Sequence, residues 1–192
     1  MDRISKELKK VDRIYLIGCG SSLSTLYTVR DALGMVSDFP IIVTTGYEFT
    51  YSKNLGDQNA AAIFASQSGE TADSLFAMRE IQRKGATVLG ICNVVGSTIP
   101  RESDGGVYVH SGPEIAVAST KAFTSQLTVF FLFTLLMARM RDMSREEGQR
   151  FIRALTCVPD MVRDALSKRD RIQAIAKKYC RAKDFLYLGR GI

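Results

Sequence analysis

Ala60-Ala61-Ala62-Ile63-Phe64-Ala65 runs without a break into Ser66-Gln67-Ser68-Gly69-Glu70-Thr71. An unalternating apolar run closed by a turn signal reads as a strand buried on both faces. Beyond the turn, Ala72, Leu75, Met78 and Ile81 recur at helical spacing and predict a helix over about 71–84 with one buried stripe. Gly85 follows as a C′ glycine. Strand, polar turn and helix form the repeating unit of α/β proteins. The turn places the hydroxyls of Ser66, Ser68 and Thr71 and the amide of Gln67 at a helix start, and Gly69 permits close approach. Backbone N–H groups and aligned peptide dipoles there favour an anion, phosphate above all. The plainer role for Ser68 is an N-cap, and for Ser66 a turn residue.

The same grammar extends in both directions. Upstream, residues 2–11 fit a short amphipathic helix, and Arg13–Ile17 is a strand entering Gly18-Cys19-Gly20-Ser21-Ser22. A helix over 22–35 comes next, then a strand over Ile41–Thr45, Gly46 and a helical piece over 47–52. Downstream, Thr87–Cys92 and Val107–His110 read as strands, with Pro100 and Gly105-Gly106 bracketing an exposed turn region between them. A long apolar helix is expected at about 120–140. Ser144-Arg145-Glu146-Glu147 is a capping box for a helix to about 156, and Pro159 interrupts or restarts helical structure to about 180. Strands alternating with helices argue for a three-layer α/β sandwich, a parallel sheet covered on both faces. Ligands of such sheets sit beyond the C-terminal strand ends, where the hydroxyl-rich turns fall.

Composition narrows the function classes. The 192 residues suit one domain with a full core. The net charge of +6 is uneven: residues 1–138 carry 12 Lys/Arg and 13 Asp/Glu, residues 139–183 carry 13 and 6. Interspersed acids and few aromatics favour a solvated helical face there over a nucleic-acid surface. Cys19, Cys92, Cys157 and Cys180 form no zinc or CxxC spacing, and His110 is the only histidine, so neither a metal nor a disulfide framework is expected. This usage fits a reduced, cytoplasmic protein. The N-terminus does not resemble a signal peptide. The most apolar stretch, 127–138, is shorter than the roughly 20 residues that span a bilayer, so it reads as a buried helix and no membrane is expected. Gly18-Cys19-Gly20-Ser21-Ser22-Leu23 fails the dinucleotide fingerprint at its last position and lacks the Gly-Lys-Ser/Thr ending of a P-loop. No cofactor is expected.

Two further hydroxyl clusters are candidates to meet the same ligand, Ser21-Ser22 and Ser119-Thr120. Ser119 or Thr120 is also a good N-cap for the long helix, and Lys121 is either an anion contact or a surface lysine. Glu48, Glu70 and Glu114 flank the loops as candidate bases, against the commoner role of a capping or solvated carboxylate. Cys19 has no histidine close in sequence to activate it.

Near the C-terminus, Asp184-Phe185-Leu186-Tyr187-Leu188 followed by Gly189-Arg190-Gly191 reads as a strand and turn that echo Ile14-Tyr15-Leu16-Ile17 followed by Gly18-Cys19-Gly20. A second copy of the opening unit is one explanation and a chance match is another. Taken together, Ile17–Ser22, Ser66–Asp73, Ile91–Val94, Arg101–Asp104 and Glu114–Thr124 resemble the sugar isomerase (SIS) domain. The likeness is to the first of the two SIS domains in the glutamine–fructose-6-phosphate aminotransferase (glucosamine-6-phosphate synthase) family.

The resemblance implies a five-stranded parallel sheet, with an SIS domain over 1–183 and the start of a second repeat over 184–192. It implies a hexose 6-phosphate ligand, fructose 6-phosphate or glucosamine 6-phosphate. Ser66, Gln67, Ser68 and Thr71 would hold the phosphate. Cys19, Gly20, Ser21, Ser22, Val117, Ala118 and Ser119 would line the sugar side. Ser21 stands where the family usually has threonine, and Leu23 where tyrosine is common. The chain would act as the N-terminal SIS half of such an enzyme, with no catalytic residues of its own, since those belong to the second half. The other roles are an isomerase or deglycase completed by a partner chain, and a non-catalytic sugar-phosphate sensor. A homodimer, or pairing with a second SIS domain, is expected.

Overall fold

The computed structural model describes residues 3–36, 40–52, 56–115 and 119–189. In chain order the elements are α1 (Arg3–Leu8), β1 (Arg13–Gly18), α2 (Ser21–Gly34), β2 (Ile41–Thr44), α3 (Gly46–Tyr51), β3 (Ala60–Ser66), α4 (Ala72–Arg83), β4 (Thr87–Cys92), α5 (Thr98–Glu102), β5 (Gly105–Tyr108), α6 (Lys121–Arg139), α7 (Arg145–Ser167) and α8 (Arg169–Tyr179). They divide into two compact units, Met1–Met143 and Ser144–Ile192.

In the first unit a five-stranded sheet runs in the order β2-β1-β3-β4-β5, and every neighbouring pair is parallel. β3 is buried along its whole length, which explains why its sequence does not alternate. Ala61, Ile63 and Ala65 face one apolar layer with Ile14 and Leu16 of β1, Leu26, Val29 and Leu33 of α2, and Phe130 and Met137 of α6. Ala60, Ala62 and Phe64 face the other, with Tyr15, Ile17, Phe49 of α3, Ala77, Met78 and Ile81 of α4, and Ile99 of α5. Each fully buried large side chain contributes roughly 1.5–3 kcal/mol. The three-layer α/β sandwich expected from the sequence is the observed fold.

Chain order reverses between β1 and β3: β1 is followed by β2 on one side, and all later strands lie on the other. The turns after β1 and β3 therefore part in opposite directions and leave a crevice at the C-terminal edge.

Some expectations need correction. The last strand lies at Gly105–Tyr108, not 107–110. A Cβ on Gly106 would stand 2.0 Å from the Gly90 carbonyl oxygen, so here glycine permits close strand approach rather than a turn. α5 occupies part of the region read as exposed turn, and Pro100 sits in its first turn, where no intrahelical N–H bond is lost. α6 is 19 residues long and, by length and composition, apolar enough to cross a membrane. Ala122, Phe123, Thr124, Ser125 and Gln126 extend it beyond the apolar stretch 127–138 without charge. Its buried residues Ala122, Gln126, Phe130, Thr134, Met137 and Ala138 form a stripe at helical spacing, while Leu132 and Leu136 are exposed. It is a core helix on one face only.

The second unit holds α7 and α8. The capping box is present: Ser144 Oγ accepts from the Glu147 N–H at 3.2 Å, and Glu147 Oε2 from the Ser144 N–H at 2.8 Å. The helix does not stop near 156 but continues through Pro159 to Ser167. A single missing N–H removes one rung of a long helix and leaves the others. Arg163 and Lys168 pair with Asp160 and Asp164 one turn away at exposed positions. Residues 184–188, expected as a strand, carry no strand structure and are not among the five strands of the sheet. An apolar run alone does not make a strand without an edge to pair with. Arg190, Gly191 and Ile192 lie outside the described residues.

Candidate functional site

The turns after β1 and β3 meet in one cleft at the switch point. Cys19, Gly20, Ser21 and Ser22 line it from the first, and Ala65, Ser66, Gln67, Ser68 and Thr71 from the second, around about 290 Å³. That volume is at the small end of ligand pockets. Gly20 caps α2 at φ 59° and ψ −131°, a conformation that L side chains rarely adopt. Gly69 also has positive φ, 69°, and a Cβ there would meet Ser97 Oγ at 2.0 Å. The β3 turn is held by its own side chains. Ser66 Oγ accepts from the Gly69 N–H at 2.9 Å and lies 3.5 Å from Thr71 Oγ1, and Ser68 Oγ accepts from the Glu70 N–H at 3.2 Å. Ser66 is buried, while Gln67, Ser68 and Thr71 keep part of their surface open.

Helix N-termini distinguish this cleft from the starts of α3, α5 and α6. α3 has a full capping box, Thr45 with Glu48. At α5 the Thr98 N–H donates to Glu70 Oε1 at 2.7 Å. At α6 the Ala122 and Thr120 N–H groups donate to Glu114 at 3.0 and 3.4 Å. α2 and α4, the two helices that start at the cleft, have no side-chain cap. Their first N–H groups and dipoles converge on a space lined by hydroxyls, with no lysine or arginine among its lining residues. Such a space suits an anion bound by neutral donors.

A second cleft adjoins the first through Gln67, which lines both. Its walls include Asn93, Val94 and Val95 after β4, and His110, Gly112, Pro113 and Glu114 after β5. His110 is the one non-glycine residue with positive φ, 49°, among the described residues. The Gln67 carbonyl accepts from the N–H groups of Asn93 and Val94, both at 3.3 Å. The Asn93 side chain grips the loop beyond β5: Nδ2 donates to the Gly112 carbonyl at 2.8 Å, while Oδ1 accepts from the Ser111 N–H at 2.8 Å and Oγ at 2.9 Å. Ser119 lies 3.4 Å from Glu114 Oε2, so the third hydroxyl loop reaches the second cleft through Glu114. Val117 and Ala118 lie outside the described residues.

The candidate bases are engaged as caps. Glu114 accepts from the Ser119 hydroxyl, the Thr120 hydroxyl and N–H, and the Ala122 N–H. Desolvation pushes its carboxyl up, but the hydrogen bonds from Ala122 and Thr120 outweigh it, and the group is held below the usual glutamate range. Glu48 is lowered by the Thr45 N–H and hydroxyl, and Glu70 by the Thr98 side chain and N–H. The N-cap role expected of Ser119 or Thr120 belongs to Glu114, since Thr120 makes no side-chain cap bond. Burial pushes the Cys92 thiol up to about 12, which keeps it protonated and inert. No cluster of His, Cys, Asp or Glu able to hold a metal occurs among the described residues.

Asn93 went unremarked as a site residue from sequence, although it follows the buried strand β4 as Ser66 ends β3. The signal was there: a polar side chain at the C-terminal end of a parallel strand faces the ligand edge.

The SIS-domain family model matches residues 7–136. The glutamine–fructose-6-phosphate aminotransferase [isomerizing] of Chlorobaculum tepidum is 44% identical over 184 residues, 96% of this chain and 30% of that protein. The human glutamine–fructose-6-phosphate aminotransferase [isomerizing] 2 is 37% identical over 97% of this chain and 27% of its own length. The chain thus spans under a third of these relatives. Among solved structures, the C-terminal domain of glucosamine-fructose-6-phosphate aminotransferase from Francisella tularensis matches with a TM-score of 0.94 at 30% identity, over 100% of this chain and 55% of that one. This corrects the assignment to an N-terminal SIS half, because the full-length match is to the C-terminal domain. The physical reason is that strand-end turns record the local fold of an SIS unit and carry no mark of its place in a longer chain.

Proposed function

Because this chain belongs to the SIS-domain family, we propose that the cleft between β1 and β3 holds the phosphate of a hexose 6-phosphate, as an SIS domain from the C-terminal part of a glutamine–fructose-6-phosphate aminotransferase-like enzyme. The phosphate lies against the N–H groups opening α2 and α4, with the hydroxyls of Ser66, Ser68 and Thr71 and the Gln67 amide as further donors. Cys19, Gly20, Ser21 and Ser22 face it from the other turn, and Ser119 and the neighbouring Val117 and Ala118 belong to the sugar end. The observation that carries this reading is the convergence of two uncapped helix N-termini on one hydroxyl-lined space without a cation. The relatives named for fructose 6-phosphate support the sugar. Burying and orienting the remote phosphate is how such a domain serves a reaction at the sugar carbons.

Calorimetric titration of the chain with fructose 6-phosphate, fructose and inorganic phosphate tests the reading. Saturable binding of the phosphorylated sugar, with none of free fructose, is expected. Absence of fructose 6-phosphate binding at millimolar concentration overturns it. The partner in turn is another SIS domain, seated on the apolar groove where Val107 of β5 meets Leu132 and Leu136 of α6. A dimer in sedimentation at micromolar concentration is expected, and a monomer overturns that part alone.

A further inference from the structure

Hydrogen bonds, linked by the backbone from Gly112 to Glu114, join the turn after β3 to the loop that opens α6. The Gln67 carbonyl accepts from the Asn93 N–H. The Asn93 side chain, only 9% exposed, holds Ser111 and Gly112 through three bonds of 2.8 to 2.9 Å. Two residues on, Glu114 holds Ser119, Thr120 and Ala122. The Ser111 backbone N–H can only donate, so Oδ1 of Asn93 must face it and Nδ2 must face the Gly112 carbonyl. An aspartate at 93 would keep the acceptor side and set a second oxygen against that carbonyl.

We propose that Asn93 is a positioning residue for the sugar end of the ligand, setting the loop of Ser111–Glu114, and through Glu114 that of Ser119, at a fixed span from the phosphate turn. The inference rests on the hexose-phosphate reading above and adds a division of labour to it. The anion cradle is made by the starts of α2 and α4, and no Asn93 side-chain bond reaches them. The opposite wall is made by a loop that Asn93 holds. Disturbing Asn93 therefore loosens the grip on the sugar and leaves the grip on the phosphate.

The test is Asn93→Asp, with Ser111→Ala as the milder variant that removes only the 2.9 Å hydroxyl bond. Fructose 6-phosphate and inorganic phosphate are titrated into each variant and the wild-type chain between pH 5 and 8. For Asn93→Asp the expected result is a loss of roughly tenfold or more in fructose 6-phosphate affinity at pH 8, from a missing bond and a repulsive contact. Inorganic phosphate affinity should stay within about twofold of wild type. Relative to wild type at the same pH, fructose 6-phosphate binding should recover as pH falls, because a protonated carboxyl can again donate to the Gly112 carbonyl. Ser111→Ala should give a smaller loss with the same ligand selectivity, and it decides the matter if Asn93→Asp does not fold. Equal losses for both ligands, no loss for either, or no pH recovery overturn the inference and leave the hexose-phosphate reading standing. Wild-type protein that binds neither ligand overturns that reading, and this one with it.

Discussion

Ser68 occupies the turn after β3 with its oxygen accepting the Glu70 N–H, which leaves its hydroxyl hydrogen free to donate outward into the cleft. Replacing it with alanine should remove one donor to a charged group, worth roughly 1.5–3 kcal/mol or about ten- to a hundredfold in affinity. Calorimetry should register that loss for fructose 6-phosphate and for inorganic phosphate alike, because both present the same anion. A loss confined to the sugar phosphate would place Ser68 at the wrong end of the ligand. The two cleft glycines differ in kind. At Gly20 a Cβ would meet nothing within 4 Å, whereas at Gly69 it would strike Ser97. Both have positive φ, so both substitutions carry backbone strain of about 1–2 kcal/mol. Gly69→Ala adds a steric clash and should lower Tm clearly more than Gly20→Ala in thermal melts. Equal shifts would mean that Ser97 yields without cost.

At the scale of elements, the sheet's C-terminal edge is organised by which helices are capped and which are not. Glu48, Glu70 and Glu114 each serve a helix start in the first unit, and all three are held below the ordinary glutamate value of 4.5. A carboxyl whose folded value is depressed stabilises the fold fully above its unfolded value. That stability is lost as pH falls through the folded one. The chain should therefore be flat in stability above about pH 5 and weaken progressively below 4.5. Glu114→Gln should lower Tm at neutral pH and make the acid limb shallower than in wild type. An unchanged acid limb would show that Glu114 is not ionised in its cap. The same arrangement explains why no base stood out: the carboxylates nearest the strand ends are occupied in starting helices, and the two helices they leave bare are those at the cleft.

Over the whole molecule, burial is concentrated in the first unit. β1 and β3 are almost wholly buried, while α8 buries no residue and α7 only Gly148. Local opening free energy follows buried apolar contact. Amide exchange followed by mass spectrometry should find β1, β3 and β4 slowest and residues 145–179 many times faster. Comparable protection in both would mean that the helices of the second unit are covered in solution. The position of the cleft is also a property of the whole. It exists because chain order reverses between β1 and β3, so that the helices after them diverge and leave their N-termini facing one space.

The amino-acid sequence by itself determined the alternation of buried strands and one-sided helices, and with it the parallel sheet and the placing of Ser66–Thr71 and Cys19–Ser22 at its C-terminal edge. These are local matters of apolar period, glycine and turn chemistry, readable within a dozen residues. The last strand was misplaced because Gly105-Gly106 signals a turn locally, and only the neighbouring Gly90 backbone shows why glycine is needed there. Which helix start Glu114 caps, and Asn93 as a tie, were likewise beyond local reading. The cap lies eight residues from the N–H it holds, and Asn93 eighteen and nineteen residues from its partners. Such bonds depend on where strands end relative to one another in space. That relation is settled by sheet order and packing, which no short stretch of chain encodes.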